Sequence, residues 1–248
     1  MIIARGLPIA ATPTVGGTGA ANLLTPSPKE VWATGVAGQY PIDIDLGAAQ
    51  DVDTFFLGFT NAAAGATWGI EKATGLGTGL TSIMPAGTLM RAADSLGPRH
   101  HALAFLPVPV NSRYFRITPT QAGVTPMQAG ILMLAKAFVW PYEFGSGREP
   151  IDTSAVDELR DGGFGIGEGV VKARLEWTFV DLTAVMRRAL WAITWGVGKS
   201  KPILVVEQTG ETAGLNEEIH YGLFERFEPY QRQAPEMTRW ALSMKEWL

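Results

Sequence analysis

Between residues 40 and 139, apolar side chains recur at every second position in short runs. That period places alternate side chains on opposite faces of an extended strand. Ile42, Ile44 and Leu46 alternate with Asp43 and Asp45, so the first three face a core and the two carboxylates face water. The pattern predicts strands over 40–46, 54–60, 67–72, 101–105, 114–119 and 129–139. Gly47 and the segments GLGTG (75–79), MPAG (84–87) and PVPV (107–110) read as turns between strands. No long helical period interrupts the series, which predicts an antiparallel β-sandwich over 31–139. Residues 1–30, rich in Gly, Ala, Thr and Pro, read as an extended N-terminal arm with one strand near 2–4.

The organisation changes after residue 139. WPYEFGSGREPIDTSA (140–155) mixes Pro, Gly and charge and reads as a linker. Over 170–180, Val171, Ala173, Leu175, Trp177 and Phe179 alternate with Lys172, Arg174, Glu176 and Thr178, the strongest strand signal in the chain. A helix is expected from an N-cap at Asp181 to about Trp195-Gly196. Its apolar stripe would run through Leu182, Val185, Met186, Ala189, Leu190 and Ile193. Strands follow over 202–207, 219–227 and 238–247. A polar loop (208–217) and the turn FEPYQRQAPEM (227–237) lie between them. The expectation for 156–248 is an antiparallel sheet packed with one α-helix, so the fold class is mainly β.

Composition narrows the function. The 248 residues are 46% hydrophobic and only 18% charged, as suits a surface covered by neighbours. Residues 1–140 carry 8 basic and 7 acidic groups and the remainder 12 and 17. Neither part has the basic excess that nucleic acid requires. There is no cysteine, which excludes disulfides, thiolate metal sites and a cysteine nucleophile. The first residues do not read as a signal peptide. The run GILMLAKAFVW (130–140) is too short to span a bilayer, so no membrane insertion is expected.

Four features invite a chemical reading. Asp43, Asp45, Asp51 and Asp53 would need converging oxygens to hold calcium, and alternation on a wet strand face explains them better. Gly198-Lys199-Ser200 lacks the earlier glycine of a phosphate loop and follows a helix, so its lysine reads as a turn charge. GGFGIGEG (162–169) does not fit G-x-G-x-x-G and reads as a flexible loop that orders on assembly. His100 and His101 are sequence neighbours that point to opposite faces of a strand, and His220 is remote. No histidine metal site, catalytic triad, cofactor or metal is therefore expected. Among the eight tryptophans, Trp177 and Trp240 read as core. Trp32 and Trp68 are the candidates for stacking on a sugar.

Two resemblances organise these readings. Trp32, then Ile44-Asp45-Leu46-Gly47, Val52-Asp53-Thr54-Phe55-Phe56-Leu57-Gly58 and Trp68-Gly69-Ile70 resemble the first half of a discoidin-like (galactose-binding-like) jelly roll. Arg113-Tyr114-Phe115-Arg116-Ile117 and Ile131-Leu132-Met133-Leu134 resemble its second half. The resemblance implies an eight-stranded sandwich that binds any ligand with loops at one end. The strand over 173–179, the helix that follows, Pro202-Ile203-Leu204-Val205-Val206 and the closing Arg239-Trp240-Ala241-Leu242 resemble tail proteins of long-tailed bacteriophages. That resemblance implies a non-enzymatic distal-tail or baseplate-type protein of the virion tail tip, assembled in the host cytoplasm. Its partners would be itself, in a ring or hub, and other tail proteins. The alternative is a glycan-binding adhesin module that recognises bacterial surface polysaccharide.

Overall fold

A computed structural model describes residues 1–63, 65–90, 100–140, 147–208, 217–234 and 237–248. In chain order the first strands are β1 (Ile2–Ala4), β2 (Trp32–Ala33), β3 (Gly38–Gln39), β4 (Ile42–Thr60), β5 (Thr67–Ala73) and β6 (Thr81–Leu89). Next come β7 (His100–Gln121), β8 (Gln128–Ala129), β9 (Ile131–Ala135), β10 (Phe138–Val139), β11 (Gly147–Asp152), β12 (Ala155–Glu158) and β13 (Phe164–Gly167). β14 (Val171–Leu182), the helix α1 (Ala184–Val197), β15 (Ile203–Val206), β16 (Ile219–Phe227), β17 (Gln231–Ala234) and β18 (Met237–Glu246) complete the chain. The fold is mainly β and antiparallel, as the pattern predicts. Two compact units divide it: Met1–Val139 with Leu204–His220, and Trp140–Ile203 with Tyr221–Leu248.

In the first unit, one antiparallel sheet runs in the order β6-β5-β7-β4-β9, with β3 added to β7. β2 pairs with β8, and β1 lies between β10 and β15. The expected arm at 1–30 is therefore anchored by β1, and it also carries a 3-10 turn at Ala20–Leu24. Jelly-roll-like packing closes on a core that includes Trp32, Ile42, Ile44, Phe55, Trp68, Phe115, Ile117 and Leu134. Gly47 does not reverse the chain. It adopts φ +76° inside β4, and the Asp45 carboxylate accepts its N–H at 2.7 Å. The β4–β7 register then skips from Asp45↔Tyr114 to Gln50↔Ser112, so the residue kinks a continuous strand. MPAG and PVPV also lie inside strands. Pro85 is tolerated because β6 is a sheet edge. Pro107 and Pro109 fall where the register breaks between Thr54↔Phe105 and Val52↔Val110, so no ladder N–H is needed.

In the second unit, β16-β18-β14-β11 form an antiparallel sheet with β17 added to β18. Leu175↔Met244, Trp177↔Leu242 and Phe179↔Trp240 are direct cross-strand pairs, which puts all six side chains on one buried face. Trp177 and Trp240 are thus core, as expected. Several elements differ from expectation. The linker segment contains β11, and the turn before β18 contains β17. Asp181 is not the N-cap. It still belongs to β14 with φ +55°, and Thr183 caps α1 by accepting the Met186 N–H. The buried stripe of α1 is Leu190, Thr194 and Val197, rotated from the expected one, and Val185 is 73% exposed. Residues 209–216 of the polar loop lie outside the described residues.

β4 and β7 are also joined through charge. Arg116 donates to both carboxylate oxygens of Asp43, directly across the ladder, at 2.7 and 2.8 Å. Arg113 does the same to Asp45 at 2.7 and 2.8 Å. The first arginine side chain is 21% exposed and the second 44%. Burial decides what each pair contributes. Arg116→Met should cost about 1.5–3 kcal/mol in urea unfolding, because it strands a half-buried carboxylate. Arg113→Met should cost under about 1 kcal/mol, because water replaces the lost donor.

Candidate interaction surfaces

The structure separates most of the residues that the sequence brings forward. Trp32 is wholly buried in β2, and its indole N–H donates to the Gly16 carbonyl at 2.8 Å. The edge of Tyr40 meets its ring. Trp68 is 1% exposed in β5, opposite Pro119 and Thr88. Neither ring presents a face to a sugar in solution, which corrects both stacking candidates. A tryptophan that starts or fills a sandwich strand gains more by packing than by standing open.

The aspartates each take their own partner rather than a shared ion. Asp51 accepts from the Asn111 amide at 2.8 Å and pairs with Lys136 at 2.9 Å. Asp53 is not on a wet face. It is 5% exposed and accepts from the Thr54 hydroxyl and the Ala137 N–H, each at 2.8 Å. Among the described residues, no group of three or more histidine and acidic side chains is arranged to hold a metal ion. His101 is buried, stacks on Phe56 and accepts the Phe59 N–H at 3.3 Å. His220 is buried beside Glu207, 3.0 Å away.

The exposed features were less legible in sequence. Residues 162–169 do not form a loop: β13 pairs with β12 in a hairpin. The pairs Val156↔Ile166 and Glu158↔Phe164 lie on one face, and Ala155, Asp157, Gly165 and Gly167 on the other. Val156 is 60% exposed, Phe164 65% and Ile166 67%. At its base the Thr153 N–H donates to the Val170 carbonyl at 3.2 Å, and the Thr153 hydroxyl accepts the Val170 N–H at 2.8 Å. Below that, β11 continues the ribbon along β14. The result is an arm whose apolar face is turned to solvent. Alternation within Phe164-Gly165-Ile166-Gly167 is the signal that could have revealed it.

A second exposed surface lies on α1. Trp191 and Trp195 stack with ring centres 5.9 Å apart, and Trp195 is 79% exposed. Trp191 also contacts Tyr230 and the buried Trp240. The Arg187 guanidinium lies 5.4 Å from the centre of the Tyr230 ring. Arg187, Arg188, Trp191 and Tyr230 line a shallow recess of about 250 Å³.

No family model matches the chain, and no curated protein matches it either. Solved structures similar to part of it include a CBM32 module of a GH89 protein from Clostridium perfringens, at 16% identity and TM-score 0.40. That similarity covers 52% of this chain and 98% of the module. A chitosan-binding module of a chitosanase/glucanase from Paenibacillus sp. IK-5 is similar at 18% identity and TM-score 0.41, over 52% of this chain and 98% of that one. A GH29 fucosidase from Ruminococcus gnavus is similar at 16% identity and TM-score 0.41, over 54% of this chain and 27% of that one.

Burial raises the Asp53 pKa above its ordinary 3.8, against the opposing pull of the Ala137 N–H, the Thr54 hydroxyl and Lys136. The folded protein therefore holds this proton more tightly than the unfolded chain. The contribution to stability is full below pH 3.8 and is lost as pH rises through the raised value. Asp53→Asn keeps an acceptor for both donors and cannot ionise. Urea unfolding from pH 4 to pH 7 should show a flatter pH profile than wild type, with equal or greater stability at pH 7. An unaltered slope would show that burial of this carboxyl is not what governs the profile.

Proposed function

We propose that this chain is a non-catalytic structural protein that forms multimers through the β12–β13 arm. The observation that carries the reading is the solvent-facing apolar surface of Val156, Phe164 and Ile166 on a two-stranded ribbon. A lone hairpin is marginally stable in water, and a one-sided apolar ribbon gains stability when another surface covers it. Four of the acidic residues, Asp43, Asp45, Asp51 and Glu225, are matched to arginine or lysine, as structural carboxylates are. In the setting implied by the sequence resemblance, the multimer is a ring or hub at a bacteriophage tail tip that displays the sandwich unit. Light scattering and electron-microscopic class averages of the purified protein should show ring-shaped multimers. Phe164→Ser with Ile166→Ser should shift the mass toward monomer without altering the melting temperature of the remainder. A monodisperse monomer at high concentration overturns the reading.

A second reading, recognition of bacterial surface polysaccharide, is favoured by the stacked, exposed Trp191 and Trp195 beside two arginines. Pyranose faces stack on such rings. This reading moves the sugar contact from the sandwich tryptophans to α1. It predicts retention on polysaccharide-coated beads that Trp195→Ala abolishes. Failure to bind across a broad glycan array retires it.

A further inference from the structure

We infer that the arm of one copy inserts into a lysine-flanked cleft at the base of the arm of the next copy, giving a head-to-tail contact. The inference rests on the multimer reading above and specifies its geometry. The cleft has a volume of about 530 Å³, with Val170, Leu223, Phe224 and Trp247 among its lining residues. Lys172 and Lys199 stand at it, and among the described residues neither has a carboxylate partner. Three other charged side chains line the cleft, Glu225, Lys245 and Glu246. Glu225 is held by Lys245 and Arg174, and Glu246 accepts the Ala173 N–H at 2.8 Å. The cleft thus offers an apolar floor with three lysines, Lys172, Lys199 and Lys245, against two glutamates, a side-chain net charge of +1.

The arm is its complement. Residues 153–170 carry Asp157, Glu158, Asp161 and Glu168 against the single Arg160, a formal net charge of −3. They also carry the exposed Val156, Phe164 and Ile166. The arm does not fill the cleft of its own chain. Thr153 and Val170 at its base line that cleft, and Phe164 lies six residues further along an extended ribbon, roughly 20 Å away. The occupant is therefore a second copy. Arm and cleft are different surfaces, so the contact is heterologous and propagates into a ring if the rotation closes or into a filament if it does not.

The chain has no cysteine, so introduced thiols report on this contact alone. Ile166→Cys and Leu223→Cys, made on separate chains and mixed under mild oxidation, should form the mixed disulfide in preference to either homodimer. Lys172→Glu with Lys199→Glu should raise the subunit dissociation constant at least tenfold. Pairing that variant with Asp157→Lys, Glu158→Lys subunits should restore association. Matched circular dichroism melts establish that each variant is folded. If wild-type multimers persist but Ile166→Cys links to itself, or to nothing, the head-to-tail contact is wrong and the multimer reading stands. If the wild-type protein is monomeric at every concentration, both fall.

Discussion

The pairing of β4 with β7 is the constraint on which the first unit depends. β5 and β3 attach to β7, and β9 attaches to β4, so their registers are set by that ladder. A slip of one residue would turn Ile42, Ile44, Phe115 and Ile117 out of the core and bring Asp43 and Arg116 in. The two bidentate arginine–aspartate pairs oppose such a slip, because each requires its own diagonal or direct neighbour. Charge here fixes alignment while apolar burial supplies most of the stability.

This explains how far the sequence could be read. Strict alternation made β4, β14, β16 and β18 visible, because a side chain's face follows directly from its parity. It also identified Trp177 and Trp240 as core. Parity says nothing about continuity, however. Gly47, Pro107 and Pro109 look like chain reversals in one dimension but lie at bulges of longer strands. The helix stripe was misassigned for a similar reason. Val185 and Ala189 are apolar enough to extend the stripe, yet the buried positions are Leu190, Thr194 and Val197.

The candidate site was the least legible part. Trp32 and Trp68 attract attention as aromatic residues, but the question of stacking is one of burial, which depends on residues such as Gly16, Tyr40 and Thr88 far away in sequence. Residues 162–169 read as a loop in the sequence because glycine dominates them. Their partner, Ala155–Glu158, begins at the last residue of what reads as a linker and is too short to carry a clear alternation of its own. The aromatic surface of α1 emerges only once the rotation of the helix is known.

Glycine occupies positions 163, 165, 167 and 169, and Gly165 and Gly167 take one whole face of the returning strand β13. One side of that strand is therefore bare backbone, and the ribbon is thinner than an ordinary pleated layer. A neighbouring polypeptide can approach it more closely than the ~10 Å at which side-chain-bearing sheets stack. Ordering so many glycines is also entropically expensive. The returning strand is therefore held in place by its backbone pairing with Ala155–Glu158 more than by side-chain packing on its glycine side.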